Sequence, residues 1–229
     1  MTTAQELQSE QAFAALLSAL KSGRLRSSEF LTMPDLAAIL GFPLAPTREA
    51  AKRAEGQSLL TILPKRGLTI MDSGPGVTRD CMDMRAALEQ EGVRRLLASG
   101  HCDLEALRKQ HEQLLAEARS DPGADLSRRA LATDLSLHDF MSSGLKNPFL
   151  CQAYQSNRNR ITVIQNVRSF LPDRVIPAME EHLDIIAALQ AGDLPAAIAH
   201  IERHLHQTLR WWGVELREDW ADRRDPGPA

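Results

Sequence analysis

The pattern of hydrophobic positions changes near residue 72 of this 229-residue chain. Before that point, short apolar runs alternate with proline and glycine. The run 33–40, for example, has Pro34 at its start and is followed by Gly41. Proline fits the first turn of a helix and glycine its C-terminal cap, so this run predicts a short helix. After residue 72, apolar residues recur three and four positions apart over long stretches, which is typical of amphipathic helices.

The front region, residues 1–71, is predicted to contain three helices and a β-hairpin. Two β-like runs are separated by the turn Pro64-Lys65-Arg66-Gly67, and short apolar runs joined by a glycine-containing turn are typical of a hairpin. This order of elements, with a helix, a helix-turn-helix and then a hairpin, is that of a winged helix-turn-helix domain. The predicted helices span residues 8–22, 33–40 and 45–57, and the predicted strands span 59–63 and 68–71.

A segment rich in glycine and proline, residues 72–78, is predicted to link the front region to a helical domain over 79–216. The polar tail, residues 217–229, contains Pro226 and Pro228 and is expected to fray. The expected fold class is therefore mainly α, with an N-terminal winged helix-turn-helix, a small hairpin wing and a C-terminal all-α bundle. The helices of the bundle are predicted near residues 79–98, 103–119, 125–144, 147–170, 174–190 and 194–213.

Four side chains of the kind that bind metals fall on the inward faces of three predicted helices. Residues four apart share a helix face, because each residue advances by about 100°. Asp134 and His138 have this spacing inside an apolar stretch. His182 lies within the apolar stripe of its own helix, and His204 points into the stripe of the next one, whereas His200 lies at its margin. We therefore expect one carboxylate and three imidazoles in the interior.

A carboxylate in a protein interior needs a compensating partner. Burying it alone costs several kcal/mol or more, so Asp134 is expected to be paired or to coordinate a cation. One aspartate oxygen and three neutral imidazole nitrogens suit zinc best, with nickel, manganese or iron as alternatives, and they leave one or two positions open to water or a small oxygen ligand. For any one of these histidines, a hydrogen-bonded core residue is the competing interpretation. The convergence of four groups favours a metal.

Composition and charge narrow the class of protein. A hydrophobic content of 43% is enough for a sizeable core. Three cysteines without C-x-x-C spacing argue against a disulfide framework and favour the cytoplasm. The absence of a long apolar run and of a cleavable leader predicts a protein that is neither membrane-inserted nor exported. The net charge of −3 divides into +2 for residues 1–71, with eight Lys and Arg against six Asp and Glu, and −5 for 72–229, with nineteen against twenty-four. This asymmetry is a weak sign of nucleic-acid binding by the front region, and chance variation explains it about equally well.

Motifs at both ends of the chain resemble the GntR family of bacterial transcription regulators, in the branch with an FCD-type helical effector domain. The front motif is SGRLRSSEFLTMPDLAAILGFPLAPTREAAKRAE followed by LLTILPKRGLTI. The back motifs are DLSLHDFMSSGLKNPFL, which is similar to the family's D-x-x-x-H segment, and EEHLDIIAALQAGDLPAAIAHIERHL, which is similar to its last helix pair. In order, they cover most of the chain.

The resemblance implies the same metal ligands as the helical geometry: Asp134, His138, His182 and His204. His111 also faces inward with neighbouring leucines, but it lies outside the family's ligand pattern. We therefore interpret His111 as a satisfied core histidine and His200 as a lesser rival of His204.

The resemblance also implies DNA contacts from the third helix and the wing. Where the family has Ser-Arg-Thr before the recognition-helix proline, this chain has Pro43-Leu44-Ala45, which lack groups for phosphates or base edges. This difference predicts relaxed, altered or weakened operator binding. Arg48 matches the family's arginine and suits a bidentate contact to guanine. For the lysines, ordinary solvated surface charge is as good an interpretation as a DNA contact. The implied contact residues are Thr47, Arg48, Lys52, Arg53, Lys65, Arg66 and Gly67.

The resemblance therefore implies a metabolite-responsive transcriptional regulator rather than an enzyme. It would bind a pseudo-palindromic operator as a homodimer in the bacterial cytoplasm and nucleoid, as a repressor or an activator. A small organic acid would complete the metal coordination, with Arg85 pairing with its carboxylate. For Arg85, an ordinary surface salt bridge is the competing interpretation. Two alternatives stay open for the site: a metalloenzyme that activates water, and a metal that only holds the helices together.

Overall fold

The computed structural model describes residues 4–100, 103–120, 123, 125–168 and 172–216. Within these ranges the chain forms nine helices and three strands, and the predicted mainly α class is confirmed. The helices are α1 (Ala4–Lys21), α2 (Met33–Leu40), α3 (Leu44–Gly56), α4 (Pro75–Ser99), α5 (Glu105–Ser120), α6 (Leu126–Ser142), α7 (Pro148–Val167), α8 (Pro172–Gln190) and α9 (Leu194–Trp211). The strands are β1 (Phe30–Leu31), β2 (Leu60–Leu63) and β3 (Gly67–Ile70).

The chain divides into two compact units. The first comprises Met1–Cys81 and Gln155–Ser169, and the second comprises Met82–Tyr154 and Phe170–Ala229. Helices α4 and α7 therefore contribute residues to both units. The sequence pattern predicted only one boundary between the units, at residues 72–78. Helix α4 begins at Pro75, earlier than the predicted residue 79, because proline fits the first turn of a helix.

The core of the first unit is formed by the apolar faces of α1, α2 and α3. Phe13, Leu16 and Leu20 of α1 are buried, and so are Leu36 of α2 and Ala50 of α3. The buried alanines of α3 lie on one face of the helix, and the longer polar side chains lie on the opposite face. That polar face of α3 is therefore exposed to solvent.

Helix α2 has the bounds that its sequence predicts. The backbone N–H of Asp35 donates to the Thr32 hydroxyl at 3.3 Å, and the Asp35 carboxylate accepts from the backbone N–H of Thr32 at 3.1 Å. This reciprocal capping box satisfies donors at the start of the helix. Gly41, at φ +74°, ends the helix in the left-handed conformation that glycine adopts without strain.

The wing is a three-stranded antiparallel sheet in the order β1-β3-β2. The hairpin of β2 and β3 was predicted, but β1 was not, because two residues are too short to show a periodic pattern. Its pairing explains Gly67 at φ +149°: a Cβ atom there would overlap the backbone carbonyl oxygen of Leu31 in β1. Glycine at this position therefore allows the third strand to join the sheet.

The second half of α7 packs within the first unit through polar contacts. The amide of Asn159 donates to Gln57 Oε1 at 3.0 Å, and Arg160 Nε donates to the Gln57 carbonyl at 2.9 Å. The amide of Asn157 donates to the Cys81 carbonyl at 2.8 Å. A helix that was assigned from its periodicity to the helical domain is thus divided between the two units.

The second unit has an apolar core between α5, α6 and α8 and a close contact between α4 and α6. The core cluster comprises Leu114, Leu115, Ala118, Leu126, Ala130, Val175, Ala178 and Met179. At the close contact, a Cβ atom on Gly92 would overlap the Met141 carbonyl oxygen, and one on Gly144 would overlap the Gly92 carbonyl oxygen. These two glycines bring the backbone of α4 close to the end of α6 and the residues that follow it, with Gly92 one turn from Glu89.

Candidate metal centre

Four side chains from three helices meet inside the second unit. Asp134 and His138 extend from one face of α6, His182 comes from α8, and His204 from α9. All four are buried, the most exposed being Asp134 at 4%. Each offers one ligand atom, and these atoms lie within 4.8 Å of one another. The convergence predicted from the helical geometry is therefore present.

The turn between α8 and α9 sets the register of the two later histidines. Gly192, at φ +69°, follows the end of α8, and the Asp193 side chain accepts a hydrogen bond from the Ala196 N–H at 3.0 Å to cap α9. With the register set in this way, His182 Nε2 and His204 Nε2 lie 3.3 Å apart.

The distances between the ligand atoms suit a small cation. Asp134 Oδ1 lies 3.5 Å from His182 Nε2 and 3.6 Å from His138 Nε2. Ligand atoms held about 2.1 Å from a tetrahedral ion lie about 3.4 Å from one another. Asp134 Oδ2 and His138 Nε2 are buried and have no hydrogen-bond partner among the described residues. The donor set and its unsatisfied atoms therefore fit a divalent metal.

Two glutamates that the sequence analysis did not identify orient the histidines. The Nδ1–H of His138 donates to both oxygens of Glu89 at 3.0 Å, and the Nδ1–H of His204 donates to Glu181 Oε2 at 2.8 Å. A carboxylate on Nδ1 selects the tautomer whose Nε2 has a free lone pair, which is the form that binds a metal. The glutamates therefore direct the Nε2 atoms of two histidines to the centre.

Two buried arginines pair with these glutamates. Arg85 Nε donates to Glu89 Oε1 at 2.8 Å, and the two terminal nitrogens of Arg174 donate to the Glu181 carboxylate at 2.7 and 2.5 Å. The terminal Nη2 of Arg85 lies 3.9 Å from Asp134 Oδ2, is buried and has no hydrogen-bond partner among the described residues. Arg85 is thus an interior residue beside the centre, and the interpretation as a surface salt bridge is wrong.

The Arg85–Glu89 pair had a signal in the sequence that could have revealed it. Four residues separate the two side chains on α4, so opposite charges share one helix face. Glu181 had no comparable signal, because its position beside His182 does not show that it reaches His204 on the next helix.

The carboxylates of the site are held in their charged forms. Burial alone raises the pKa of Asp134, but the nearby charges of His138, Arg85 and His182 hold that pKa well below its usual value. Burial likewise raises the pKa of Glu89, and His138 and Arg85 reverse this effect, so the net pKa is lowered. At Glu181, burial is outweighed by hydrogen bonds from His204 and Arg174, and the pKa is again lowered.

The three histidines differ in their proton affinity. Burial lowers the pKa of His182 well below its usual value, and burial also lowers that of His204 in spite of Glu181. At His138, burial and Arg85 lower the pKa, but the carboxylates of Glu89 and Asp134 outweigh them and raise it. His182 and His204 are therefore available as neutral ligands, whereas a cation at the centre competes with a proton on His138.

The remaining candidate residues lie outside the cluster. His200 is half-buried and does not belong to the group of converging ligand atoms, so His204 is the ligand candidate on α9. His111 is fully buried, and its ring centroid lies 5.2 Å from that of His182. Cys81 is buried and Cys151 is exposed, both as free thiols, while Cys102 lies outside the described residues.

The residues predicted to contact DNA lie on α3 and the wing. Thr47 is an exception to the expected exposure, because it is fully buried and its hydroxyl donates to the Pro43 carbonyl at 2.9 Å. Arg53 pairs with Glu10 at 2.6 Å, and Lys52 pairs with Glu49 at 3.0 Å. The exposed basic side chains are those of Arg48, Lys52, Arg53, Lys65 and Arg66, and Gly67 is half-buried.

Comparisons with known proteins give both a family and a fold. The model of the FCD domain family matches residues 80–207. McbR/YncC of E. coli superposes with a TM-score of 0.72 at 20% identity, over 90% of this chain and 97% of that one. A Rhodococcus sp. RHA1 protein assigned to the GntR transcriptional regulators has a TM-score of 0.70 at 19% identity, over 90% and 98%.

A third structure is similar over almost its full length. Lar, which controls the expression of the Listeria monocytogenes agr system and mediates virulence, has a TM-score of 0.58 at 16% identity, over 94% of this chain and 99% of that one. At these identities the likeness establishes the fold. No curated protein matches the sequence.

Within the part of the chain that the structure describes, no helix has both the length and the apolar character needed to cross a bilayer.

Proposed function

The chain belongs to the FCD domain family and has the fold of GntR-family transcriptional regulators, and on this premise we propose that it is a metabolite-responsive regulator with a divalent metal ion in its helical unit. The observation that carries the proposal is the buried set of four ligand atoms within 4.8 Å of one another. In this assignment the protein acts on DNA in the cytoplasm and is not an enzyme.

The proposed ligands of the ion are Asp134, His138, His182 and His204. Three imidazole nitrogens and one carboxylate oxygen favour zinc, and nickel, manganese and iron accept the same donors. Such a set leaves a coordination position for an exogenous oxygen. When bound, the ion supplies a Lewis-acidic point at which a small oxygen ligand is held.

The charge of the surroundings favours an anionic ligand. Two guanidiniums, Arg85 and Arg174, and three carboxylates, Asp134, Glu89 and Glu181, leave a formal charge of −1 when the imidazoles are neutral. A divalent ion changes this sum to +1, and a singly charged carboxylate neutralises it. Arg85 Nη2, which is buried without a hydrogen-bond partner among the described residues, is the proposed donor to that carboxylate. The effector is therefore proposed to be a small organic acid.

The proposed partner of the first unit is double-stranded operator DNA. As a homodimer, the protein would place α3 of each protomer in a major groove of the DNA, with the wing beside the DNA sugar-phosphate backbone. Arg48 is the proposed base-reading residue, because it is exposed and takes part in none of the ion pairs among the described residues. The proposed backbone contacts come from Lys52, Lys65, Arg66 and the Gly67 turn, with Arg53 contributing after it leaves Glu10. Thr47 is buried, so it is not one of the proposed DNA contacts.

Elemental analysis and zinc titration test the metal site. After zinc loading and removal of loosely bound ions, we expect one zinc per chain. His204→Ala should lose this ion, whereas the matched variant His200→Ala, one turn away on α9, should retain it. A wild-type protein that retains no zinc, nickel, manganese or iron would contradict the proposal.

Cobalt substitution tests whether a ligand exchanges at the ion. Visible spectra of the cobalt-loaded protein should change when acetate or citrate is added, because the geometry around the ion changes. Arg85→Lys keeps the positive charge beside Glu89 but removes the second guanidinium nitrogen that would donate to the carboxylate. This variant should therefore show a weaker spectral change on adding acetate or citrate. A spectrum that no carboxylate alters would favour a metal that only holds the helices together.

Gel mobility shifts test DNA binding. The metal-loaded protein should retard the DNA upstream of its own coding region more strongly than an unrelated fragment at low salt. Equal retardation of both fragments would count against operator recognition.

A further inference from the structure

One histidine of the centre has no partner for its outer nitrogen. The Nδ1 atoms of His138 and His204 each bond to a glutamate, but Nδ1 of His182 is buried and has no hydrogen-bond partner among the described residues. When His182 offers the lone pair of Nε2 to the centre, Nδ1 carries the proton. A buried N–H without an acceptor costs about 1–3 kcal/mol, so an acceptor is required nearby.

A second unsatisfied nitrogen lies in the same place. His111, fully buried on α5, uses its Nδ1–H to donate to the backbone carbonyl of Leu107 at 2.8 Å. This bond assigns the proton to Nδ1 and leaves Nε2 as an acceptor. His111 Nε2 is buried and has no hydrogen-bond partner among the described residues. The unsatisfied donor of His182 and the unsatisfied acceptor of His111 are therefore complementary.

The rings carrying these two atoms are neighbours. Their centroids are 5.2 Å apart, and the planes meet at 63° in an edge-to-face arrangement. At this separation a rotation of the His182 ring could give a direct hydrogen bond with His111 left on Leu107, and a single water molecule between two polar atoms spans about 5 to 6 Å. Either route joins the two nitrogens.

We propose that His111 is a positioning residue of the metal centre, which accepts a hydrogen bond from His182 Nδ1–H and so directs His182 Nε2 to the ion. The inference rests on the metal site proposed above. It gives each of the three histidine ligands a partner on Nδ1: Glu89, Glu181 and His111.

His111 is not itself a fifth ligand in this arrangement. Its nitrogens lie outside the set of atoms within 4.8 Å of one another, which comprises only Asp134 and the three ligand histidines. Its Nδ1 is also bound to the backbone one turn earlier on α5.

The partner of His182 is neutral, unlike the two glutamates, and this has a consequence for the ligand. With its proton on Nδ1 and a lone pair on Nε2, the His111 ring carries no charge. The loaded centre therefore keeps its formal charge of +1. A carboxylate at this position would cancel the charge that attracts an anionic effector.

Two amide substitutions separate the two hydrogen bonds of His111. Glutamine places its amide near the position of Nε2 and can accept from His182, whereas asparagine places its amide near Nδ1 and keeps only the bond to Leu107. We expect His111→Gln to bind zinc almost as well as the wild type and His111→Asn to bind it about 10–100-fold more weakly. Equal affinities of the two variants would overturn the proposal.

Long-range ¹H–¹⁵N correlation spectra of the histidine rings provide a second test, which requires neither a variant nor a metal. In the metal-free wild type, His182 should be protonated on Nδ1 and His111 should have an unprotonated Nε2. A His182 ring protonated on Nε2 would overturn the proposal even if both variants fail to fold. A wild type that shows the expected tautomers but binds no ion would instead contradict the metal site and leave the His111–His182 contact intact.

Discussion

The two units place their charged side chains in opposite environments. In the first unit, Arg48, Lys65 and Arg66 are exposed on α3 and the wing. In the second unit, Arg85, Glu89 and Asp134 are buried. Removing an exposed charge leaves its former partners in water, whereas removing a buried one leaves an uncompensated charge in the interior. Function and folding should therefore be separable in the first unit and coupled in the second.

The largest expected effect is the loss of Glu89. Glu89→Ala leaves Arg85 buried without its partner, and breaking such a pair costs about 3–5 kcal/mol of unfolding free energy. Urea unfolding in the presence of a chelator measures the effect without any bound ion. Glu91→Ala, on the same helix, removes a solvent-screened partner of Arg94 and Arg95 and should lower the unfolding free energy far less. Similar losses in both variants would remove the distinction between the two environments.

The close contact between α4 and α6 should be the next most sensitive feature. In Gly92→Ala, the added methyl group overlaps the Met141 carbonyl oxygen, so we expect a loss of about 1–3 kcal/mol and weaker zinc binding as Glu89 moves away from His138. Gly76→Ala is the matched control, because it lies in the same helix with nothing within 4 Å of the added atom. Alanine there should be neutral or slightly stabilising. Unfolding and zinc titration of the two variants distinguish a packing effect from a general effect of alanine.

Substitution of Arg48 should affect DNA binding alone. Arg48→Ala is expected to weaken operator binding by about 1–3 kcal/mol, or roughly 5- to 150-fold, while the unfolding free energy stays that of the wild type. Lys109→Ala removes one exposed positive charge from α5 in the second unit and serves as the charge control. If Arg48→Ala unfolds more readily, function and folding are not separable in the first unit.

Thiol labelling has the smallest expected effect on the protein. For the cysteines the environments are the opposite of those of the charged side chains, because the buried thiol lies in the first unit and the exposed one in the second. Cys81, in the first unit, is buried, and burial raises its pKa to about 11, whereas Cys151, in the second unit, is exposed. A raised pKa means less reactive thiolate at pH 8, and two pH units correspond to roughly 100-fold. In a Cys102→Ser background, maleimide should therefore label Cys151 first. Comparable rates at pH 8 would show that burial does not control reactivity here.

Much of the fold follows from local sequence patterns. The bounds of α2 were predicted correctly, because Pro34 and Gly41 mark the first turn and the C-terminal cap of a helix by local backbone chemistry. The strand β1 was missed, since it exists only through its pairing with β3 beside Gly67. Local signals thus mark where an element begins and ends, and they miss an element that forms only by pairing with another strand.

The candidate site shows the same division. The 3.6-residue period placed Asp134, His138, His182 and His204 on inward faces, and the structure brings their ligand atoms together. The burial of Thr47 and the hydrogen bond from His204 to Glu181 depend on neighbouring backbone and helices, so no periodicity predicted them.

The sequence by itself determined which faces of the helices point inward, because side-chain direction along a helix depends only on residue spacing. Only the tertiary structure decided which buried charges meet, since that depends on how closely the helices approach. The contact of Gly92 with Met141 brings Glu89 to His138, and the packing of α5 brings His111 to His182.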